Sequence, residues 1–264
     1  MTTLHPRALV TGAGSRIGRA IALALAQEGY QVAVHYNGSQ TGAESVVQDI
    51  RAAGGTAVSL QANLLDEGET ASLVERAASA LEGPLTLLVN NASIFEYDNI
   101  ETATSESWDR HVGSNLRAPF FLTQAFAAQA PEPVSDENGE PLAQAQIVNM
   151  IDQRVHKLTP EFMTYTIAKM GLWAFTRTAA QALGGRVRVN GIGPGPTMIG
   201  TRQSEEHFRA QRAGTITGRG SDPGEITKAL IYLLTAHSVT GQLICADGGQ
   251  HLGWQTPDIL GVVE

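Results

Sequence analysis

Short β-type runs alternate with longer helical patterns almost from the first residue of this 264-residue chain, and that alternation limits its fold more than any other feature. Strands are expected at 8–11, 31–36, 57–61, 85–89, 147–151, 187–192 and 242–246. Helices are expected at 17–28, 41–53, 67–81, 114–129 and 225–235, with a further one carrying Tyr165 to about 183. Crossovers between parallel strands are right-handed, so repeated strand–helix–strand units give a mainly parallel sheet with helices on both faces. The run 85–89 is nearly all apolar, as a central strand covered on both sides should be. The expected class is therefore α/β, a doubly wound parallel sheet, with residues 1–264 as a single domain. One stretch breaks the rhythm. Residues 131–144 are rich in Pro, Glu and Asp without periodicity and are expected to form an exposed insertion loop.

Bulk properties remove several function classes. The formal charge is −8 and no block of Lys or Arg stands out, which argues against nucleic acid and against a polybasic membrane anchor. The single cysteine, Cys245, lies in the apolar run Leu243-Ile244-Cys245-Ala246 and is expected to be a buried, unreactive strand thiol. No apolar run approaches a membrane span, and Met1 to Arg7 is too short and polar for a signal peptide. The expected location is the cytoplasm. His35, His156 and His207 are scattered with no metal spacing, so no metal is expected.

Thr11-Gly12-Ala13-Gly14-Ser15-Arg16-Ile17-Gly18 falls between the first strand and the first helix. Glycines there let the backbone approach a pyrophosphate, and the helix start presents unpaired N–H groups to it. The spacing Gly-x-Gly-x-x-x-Gly is one residue longer than the common fingerprint, and any tight turn can use such glycines. Its place after the first strand is what argues for a dinucleotide and a Rossmann-type sheet. Asn90-Asn91-Ala92-Ser93 ends the fourth strand, where ligands bind in such sheets. The second strand ends in His35-Tyr36-Asn37-Gly38-Ser39, with no acid before Glu44 to hold a ribose 2′-OH. Arg16 and Ser39 can instead meet a 2′-phosphate with a charge and a hydroxyl, although Arg16 also reads as a solvated helix-start arginine. NADPH is the expected cofactor.

Tyr165 and Lys169 stand at i and i+4, one above the other on a helix face. A free phenol, with a pKa of about 10, is a poor acid at neutral pH. An ammonium nearby is expected to pull that value down and make the tyrosine a usable proton donor. Alone, such a pair is also compatible with an ordinary surface contact.

Together these residues resemble the short-chain dehydrogenase/reductase family over essentially the whole chain. The resemblance rests on the Thr11–Gly18 loop, Asn90-Asn91-Ala92, Asn115, Tyr165/Lys169, Pro194-Gly195 and Asp247-Gly248-Gly249. It implies that Tyr165 exchanges a proton with substrate while Lys169 and Asn115 maintain a proton relay. It also implies a cofactor site made by Gly12, Ser15, Arg16, Ile17, Gly18, Ser39, Asn63, Leu64, Asn91, Ala92, Ser93, Tyr165, Lys169, Pro194 and Gly195. Within the family the chain is similar to pteridine and dihydromonapterin reductases. Arg16 ends the variable part of the loop, Asn91-Ala92-Ser93-Ile94-Phe95 matches their Asn-Ala-Ser-x-Phe, and Asp152 stands where most members have serine. The resemblance implies Phe95 as a stacking platform, Arg16 and Ser93 bordering cofactor and substrate, and Asp152 joining Tyr165 in proton transfer. Gly38 and Asn63 depart from the pattern, standing where relatives have an arginine for the 2′-phosphate and an aspartate facing the adenine. The family is commonly tetrameric, so a homotetramer is expected, with the tail 254–264 available to an interface.

The chemistry agrees. A pterin is flat and polar; it needs a stacking partner, edge donors and acceptors, and hydride from one face. Two anions about 4 Å apart repel by roughly 4 kcal/mol at an effective dielectric of 20, so Asp152 and Tyr165 are expected to share a proton stabilised by Lys169. Residues 196–213 are expected to form a flap over the substrate. The function expected is NADPH-dependent reduction of a pterin or dihydropterin. The rivals are reduction of an ordinary ketone or 3-oxoacyl substrate, and a dinucleotide-binding regulator without turnover.

Overall fold

Nine strands and eight α-helices follow in chain order in the computed structural model, which describes residues 5–200, 203–256 and 260. They are β1 (Arg7–Val10), α1 (Arg16–Gln27), β2 (Gln31–Tyr36), α2 (Gln40–Ala52), β3 (Ala57–Gln61), α3 (Glu67–Ala80) and β4 (Leu87–Asn90). Next come α4 (Ser105–Val112), α5 (Ala118–Gln129), β5 (Val134–Ser135), β6 (Pro141–Leu142) and β7 (Ala145–Met150). The chain continues through α6 (Met163–Leu183), β8 (Val187–Pro194), α7 (Glu205–Ala213), α8 (Pro223–Thr235) and β9 (Leu243–Ala246). Seven strands form one parallel sheet in the order β3-β2-β1-β4-β7-β8-β9. Strand order reverses at β1, which pairs with β2 on one side and β4 on the other, Val10 opposite both Val34 and Val89.

Successive side chains on a strand point to opposite faces, and the sheet uses this to build two apolar layers. Val10, Val34, Leu87, Val89 and Val148 pack on one face with Ile21 and Leu25 of α1, Val46 and Ile50 of α2, and Leu230 of α8. Leu9, Ala33, Leu88, Ile147 and Val189 pack on the other with Leu73 of α3, Leu122 and Phe126 of α5, and Ala180 of α6. All four residues of β4 are buried, as its position between β1 and β7 requires. The result is the Rossmann-type doubly wound sheet. Among the described residues, no helix is long and apolar enough to cross a membrane.

Most element boundaries lie within two residues of expectation; one differs by more. The helix expected to begin at 114 begins at Ser105, after a capping box between Thr104 and Ser107. It passes through a π-helical turn, Gly113–Arg117, before α5. Gly113 and Pro119 look like helix breakers in sequence, yet the wide turn lets the helix run on past both. Residues 131–144 are mostly exposed, with β5 and β6 forming a two-residue antiparallel pair that the composition did not suggest. In the 196–213 segment, residues 205–213 form α7, while Thr201 and Arg202 lie outside the described residues, as does most of the tail 254–264. β9 is an edge strand, so Cys245 is only half-buried; burial still pushes its thiol up to about 12.

Candidate active site

The segments that leave the C-terminal ends of β1, β4, β7 and β8 surround a cleft of about 320 Å³. This is the crevice where doubly wound sheets hold ligands. Of the residues singled out in sequence, Arg16, Ile17, Asn91, Ser93, Phe95, Asp152, Tyr165, Lys169, Pro194 and Gly195 line it together. Gly12, Ser15, Gly18, Ser39, Asn63, Leu64, Ala92 and Asn115 do not line it. A second, more open depression is lined by Leu60, Glu75, Arg76, Ser79 and Ala80, none of them a residue singled out in sequence.

The β1–α1 turn is built around its glycines. Gly12 has φ +63°, and a Cβ there would lie 2.9 Å from the Ala92 backbone. A Cβ on Gly18 would collide with the Gly12 carbonyl and the Asn91 side chain. Asn91 donates through Nδ2 to the carbonyls of Thr11 and Gly12 at 2.8 and 3.1 Å, while Thr11 Oγ1 accepts from the N–H groups of Asn91 and Ala92. β4 thus fixes the turn that follows β1. Ser15, the residue before α1, makes no side-chain cap, and the first turn carries no acid. Caps do close α3, α4, α7 and α8. A glycine cradle beside an uncapped helix start suits the phosphates of a dinucleotide.

Sequence reasoning read His35 only as no metal ligand and assigned it no structural role. Its ring is buried and its Nδ1 accepts the Gly12 N–H at 3.0 Å, while its carbonyl accepts from Ala13. A backbone N–H can only donate, so the proton sits on Nε2 and goes to the Ala62 carbonyl at 3.0 Å. Burial lowers the ring to about 4 and keeps it neutral. A histidine at the end of β2 beside an unusually long glycine turn was the available signal.

Arg16 is engaged with the backbone across the cleft. At φ 51° it directs its guanidinium to the carbonyls of Ile199 and Met198 at 2.9 and 3.2 Å. Ser39 is exposed at the start of α2. Asn63 closes a local turn through Leu65 N–H, and the Leu64 side chain lies in the core.

Asp152 follows β7, and Tyr165 and Lys169 lie on the first turns of α6. Tyr165 donates its hydroxyl proton to Asp152 Oδ2 at 2.9 Å, and Asp152 Oδ1 accepts the Arg154 N–H at 2.8 Å. Lys169 donates to the Met150 carbonyl at 2.8 Å, with its ammonium 5.6 Å from the Tyr165 ring centre. Both side chains are buried. Burial and the Asp152 carboxylate push the phenol well above its ordinary value, opposed by Arg154 and a hydrogen bond with Ser93. Burial lowers Lys169 to about 8, with Asp152 working the other way. The expectation that the lysine lowers the tyrosine is therefore overturned: burial and a direct carboxylate contact outweigh a cation at that distance. The phenol keeps its proton and shares it in a hydrogen bond with Asp152.

Asn115 is expected to take part in a proton relay, and its side chain is engaged with the backbone of Ile94. Fully buried in the π turn, it accepts from the Ile94 N–H at 3.1 Å and donates to the Ile94 carbonyl at 2.8 Å. Its side chain holds the segment between Ser93 and Phe95. Phe95 is half exposed and stacks on Phe162, centroids 4.4 Å apart and planes 10° apart, with Tyr165 edge-on at 4.7 Å. Phe162, which sequence reasoning missed, precedes α6 at φ 55°, a conformation bulky residues rarely adopt. Beneath it lies a buried network. His111 Nε2 accepts from the Glu96 N–H, so its Nδ1 donates to Thr164 Oγ1, which donates to Asp98. Burial lowers His111 against the pull of Asp98, keeping the ring neutral. This network ties the Phe95 segment to the residue adjoining Tyr165.

With this geometry in place, the comparisons are decisive at the level of family. A family model described as Enoyl-(Acyl carrier protein) reductase matches residues 12–251. The chain belongs to the short-chain dehydrogenase/reductase family. It is accordingly an oxidoreductase. Among solved structures it is similar to FolM alternative dihydrofolate reductase 1 from Brucella suis, in complex with NADP, at 42% identity and a TM-score of 0.89, covering 96% of this chain and 98% of that one. It is 32% identical to the 3-oxoacyl-(acyl-carrier-protein) reductase FabG of Staphylococcus aureus, over 93% of this chain and 98% of that protein. It is 30% identical to pteridine reductase 1 of Leishmania tarentolae, over 94% and 96%.

Proposed function

We propose that this short-chain dehydrogenase/reductase reduces a C=N bond of a pterin or dihydropterin with NADPH. The observation that carries the reading is Asp152, placed 2.9 Å from the Tyr165 hydroxyl. Reduction of a ketone leaves negative charge on oxygen, which a hydroxyl would stabilise and a carboxylate repels. A pterin ring instead presents N–H groups to that carboxylate and needs a proton delivered to nitrogen. Phe95 offers it an aromatic surface, and Ser93 and Arg16 lie at the edge of the same cleft.

NADPH supplies hydride when bound. The glycine cradle and the start of α1 would hold its phosphates, and the acid-free end of β2 admits a 2′-phosphate. The relatives solved with NADP support the same choice. Tyr165 passes its proton to the substrate, Asp152 orients the phenol, and the Lys169 ammonium offsets the negative charge left on the pair. The reading includes a cytoplasmic homotetramer; light scattering checks its size.

A second reading, reduction of a ketone or 3-oxoacyl thioester, has support from the similarity to the Staphylococcus aureus enzyme. NADPH oxidation with dihydrobiopterin, a simple ketone and a 3-oxoacyl thioester separates the two. The pterin reading expects a kcat/KM at least about tenfold higher for the pterin. Turnover of the thioester alone replaces it with the second reading.

A further inference from the structure

We propose that Asp98 is a positioning residue for proton transfer: from the segment between β4 and α4 it caps the start of α6, and so fixes the Tyr165 phenol against Asp152. The inference rests on Tyr165 as the proton donor of the reading above and holds for any substrate that Tyr165 protonates.

α6 carries Tyr165 and Lys169 but starts without a cap of its own. Phe162, the residue before it, has no polar side chain, and no acid lies in the first turn. By contrast α3, α4, α7 and α8 are each capped by the side chain that precedes them. α6 takes its cap from Asp98. Asp98 Oδ1 accepts the Thr164 N–H at 3.1 Å, and the Asp98 carbonyl accepts the Met163 N–H at 3.3 Å. Met163 and Thr164 are the first two residues of the helix. A carboxylate there satisfies donors that a helix start leaves open and faces the positive end of its dipole. Asp98 is only 2% exposed, and a carboxylate so buried needs several donors. Thr164 Oγ1 donates to its Oδ2, as does Ser107 of the α4 capping box at 3.1 Å. Burial raises the Asp98 carboxyl, but the hydrogen bonds from Thr164 and Ser107, with His111 nearby, hold it below its ordinary value.

The hydrogen bonds around Asp98 run in one sense. At one end the Glu96 backbone N–H can only donate, to His111 Nε2; at the other the Asp98 carboxylate can only accept. Between them His111 Nδ1 donates to Thr164 Oγ1 at 2.6 Å, and Thr164 gives its own proton to Asp98. Reversing any one of them leaves a buried donor or acceptor unpaired, so each group has one orientation. Tyr165 is the residue after Thr164, and its ring stands edge-on to the His111 ring with centroids 6.0 Å apart. The ring is thereby set from the α4 side, while its hydroxyl meets Asp152 at 2.9 Å. Asp98→Asn keeps the size of the side chain but presents a donor at one of the two oxygens that now accept.

The test is steady-state kinetics of the full chain with NADPH on dihydrobiopterin, or on the 3-oxoacyl thioester if that alone is turned over. Asp98→Asn is expected to lower kcat by about tenfold to hundredfold, with KM for NADPH within about twofold. Thr164→Val, which deletes the linking hydroxyl, should act in the same direction, and Thr164→Ser should recover most of that loss. Slower proton transfer should also raise the solvent deuterium isotope effect on kcat in Asp98→Asn and Thr164→Val. A smaller folded fraction, in contrast, lowers kcat and leaves the isotope effect where it was. An isotope effect equal to that of wild type would therefore overturn the inference, whatever the loss of kcat. An unaltered kcat in Asp98→Asn would overturn it too, as would failure of both variants to fold, which would make the network a requirement of the fold alone. Near-normal turnover in Tyr165→Phe, or a wild type that reduces neither substrate, would instead overturn the reading of Tyr165, and the inference with it.

Discussion

At the scale of single residues, the site is governed by how two buried groups, Tyr165 and Lys169, divide charge with the half-buried Asp152. Tyr165 holds its proton against Asp152, and Lys169 is lowered to about 8 by burial although Asp152 favours its charged form. If the ammonium is needed to offset the charge left after proton transfer, activity must decline as that ammonium deprotonates. We therefore expect kcat/KM to fall by about tenfold per pH unit above roughly pH 8. Asp152→Asn removes the group that raises Lys169, so the decline should begin at lower pH, with turnover reduced by about 10²–10⁴. The pH–rate profiles of both proteins decide this. An unmoved alkaline limb in Asp152→Asn would show that the carboxylate does not act on Lys169.

At the scale of elements, the strands and helices were legible because their periodicity comes from two apolar layers on one sheet. The alternation of Leu87, Leu88 and Val89 between those layers is a direct expression of that cause. Tyr165, Lys169, Asp152 and Phe95 were legible as motifs. What escaped was tertiary: Gly113 and Pro119 hid a continuous helix with a π turn, and Phe162 carries no motif until Phe95 is stacked on it. His35 escaped because its partners, Gly12 and Ala62, are distant in sequence. Its lowered value has a consequence for β2 and the glycine turn. Between about pH 6.5 and 4 the unfolded chain binds a proton at His35 that the folded chain does not, so stability falls as pH drops through that window. A change from 6.5 to about 4 is worth roughly 3 kcal/mol. Thermal melting from pH 7 to pH 4 should show a smaller decline for His35→Gln than for wild type. Parallel curves would assign the acid loss to other groups.

At the scale of the whole molecule, the fold places segments following four strands around one cleft, and the chemistry depends on which substrate that cleft serves. Membership of the short-chain dehydrogenase/reductase family fixes the scaffold and the class of reaction, while relatives on the same scaffold include both pterin and 3-oxoacyl reductases. The distinguishing element in this chain is a carboxylate against the phenol at the end of β7. The most direct test is the ratio of kcat/KM for dihydrobiopterin to that for a 3-oxoacyl thioester, measured with NADPH in wild type and in Asp152→Ser. The account predicts a wild-type ratio well above one that falls by about a hundredfold or more in Asp152→Ser. A wild-type ratio below one, or a ratio unchanged by the substitution, would contradict it.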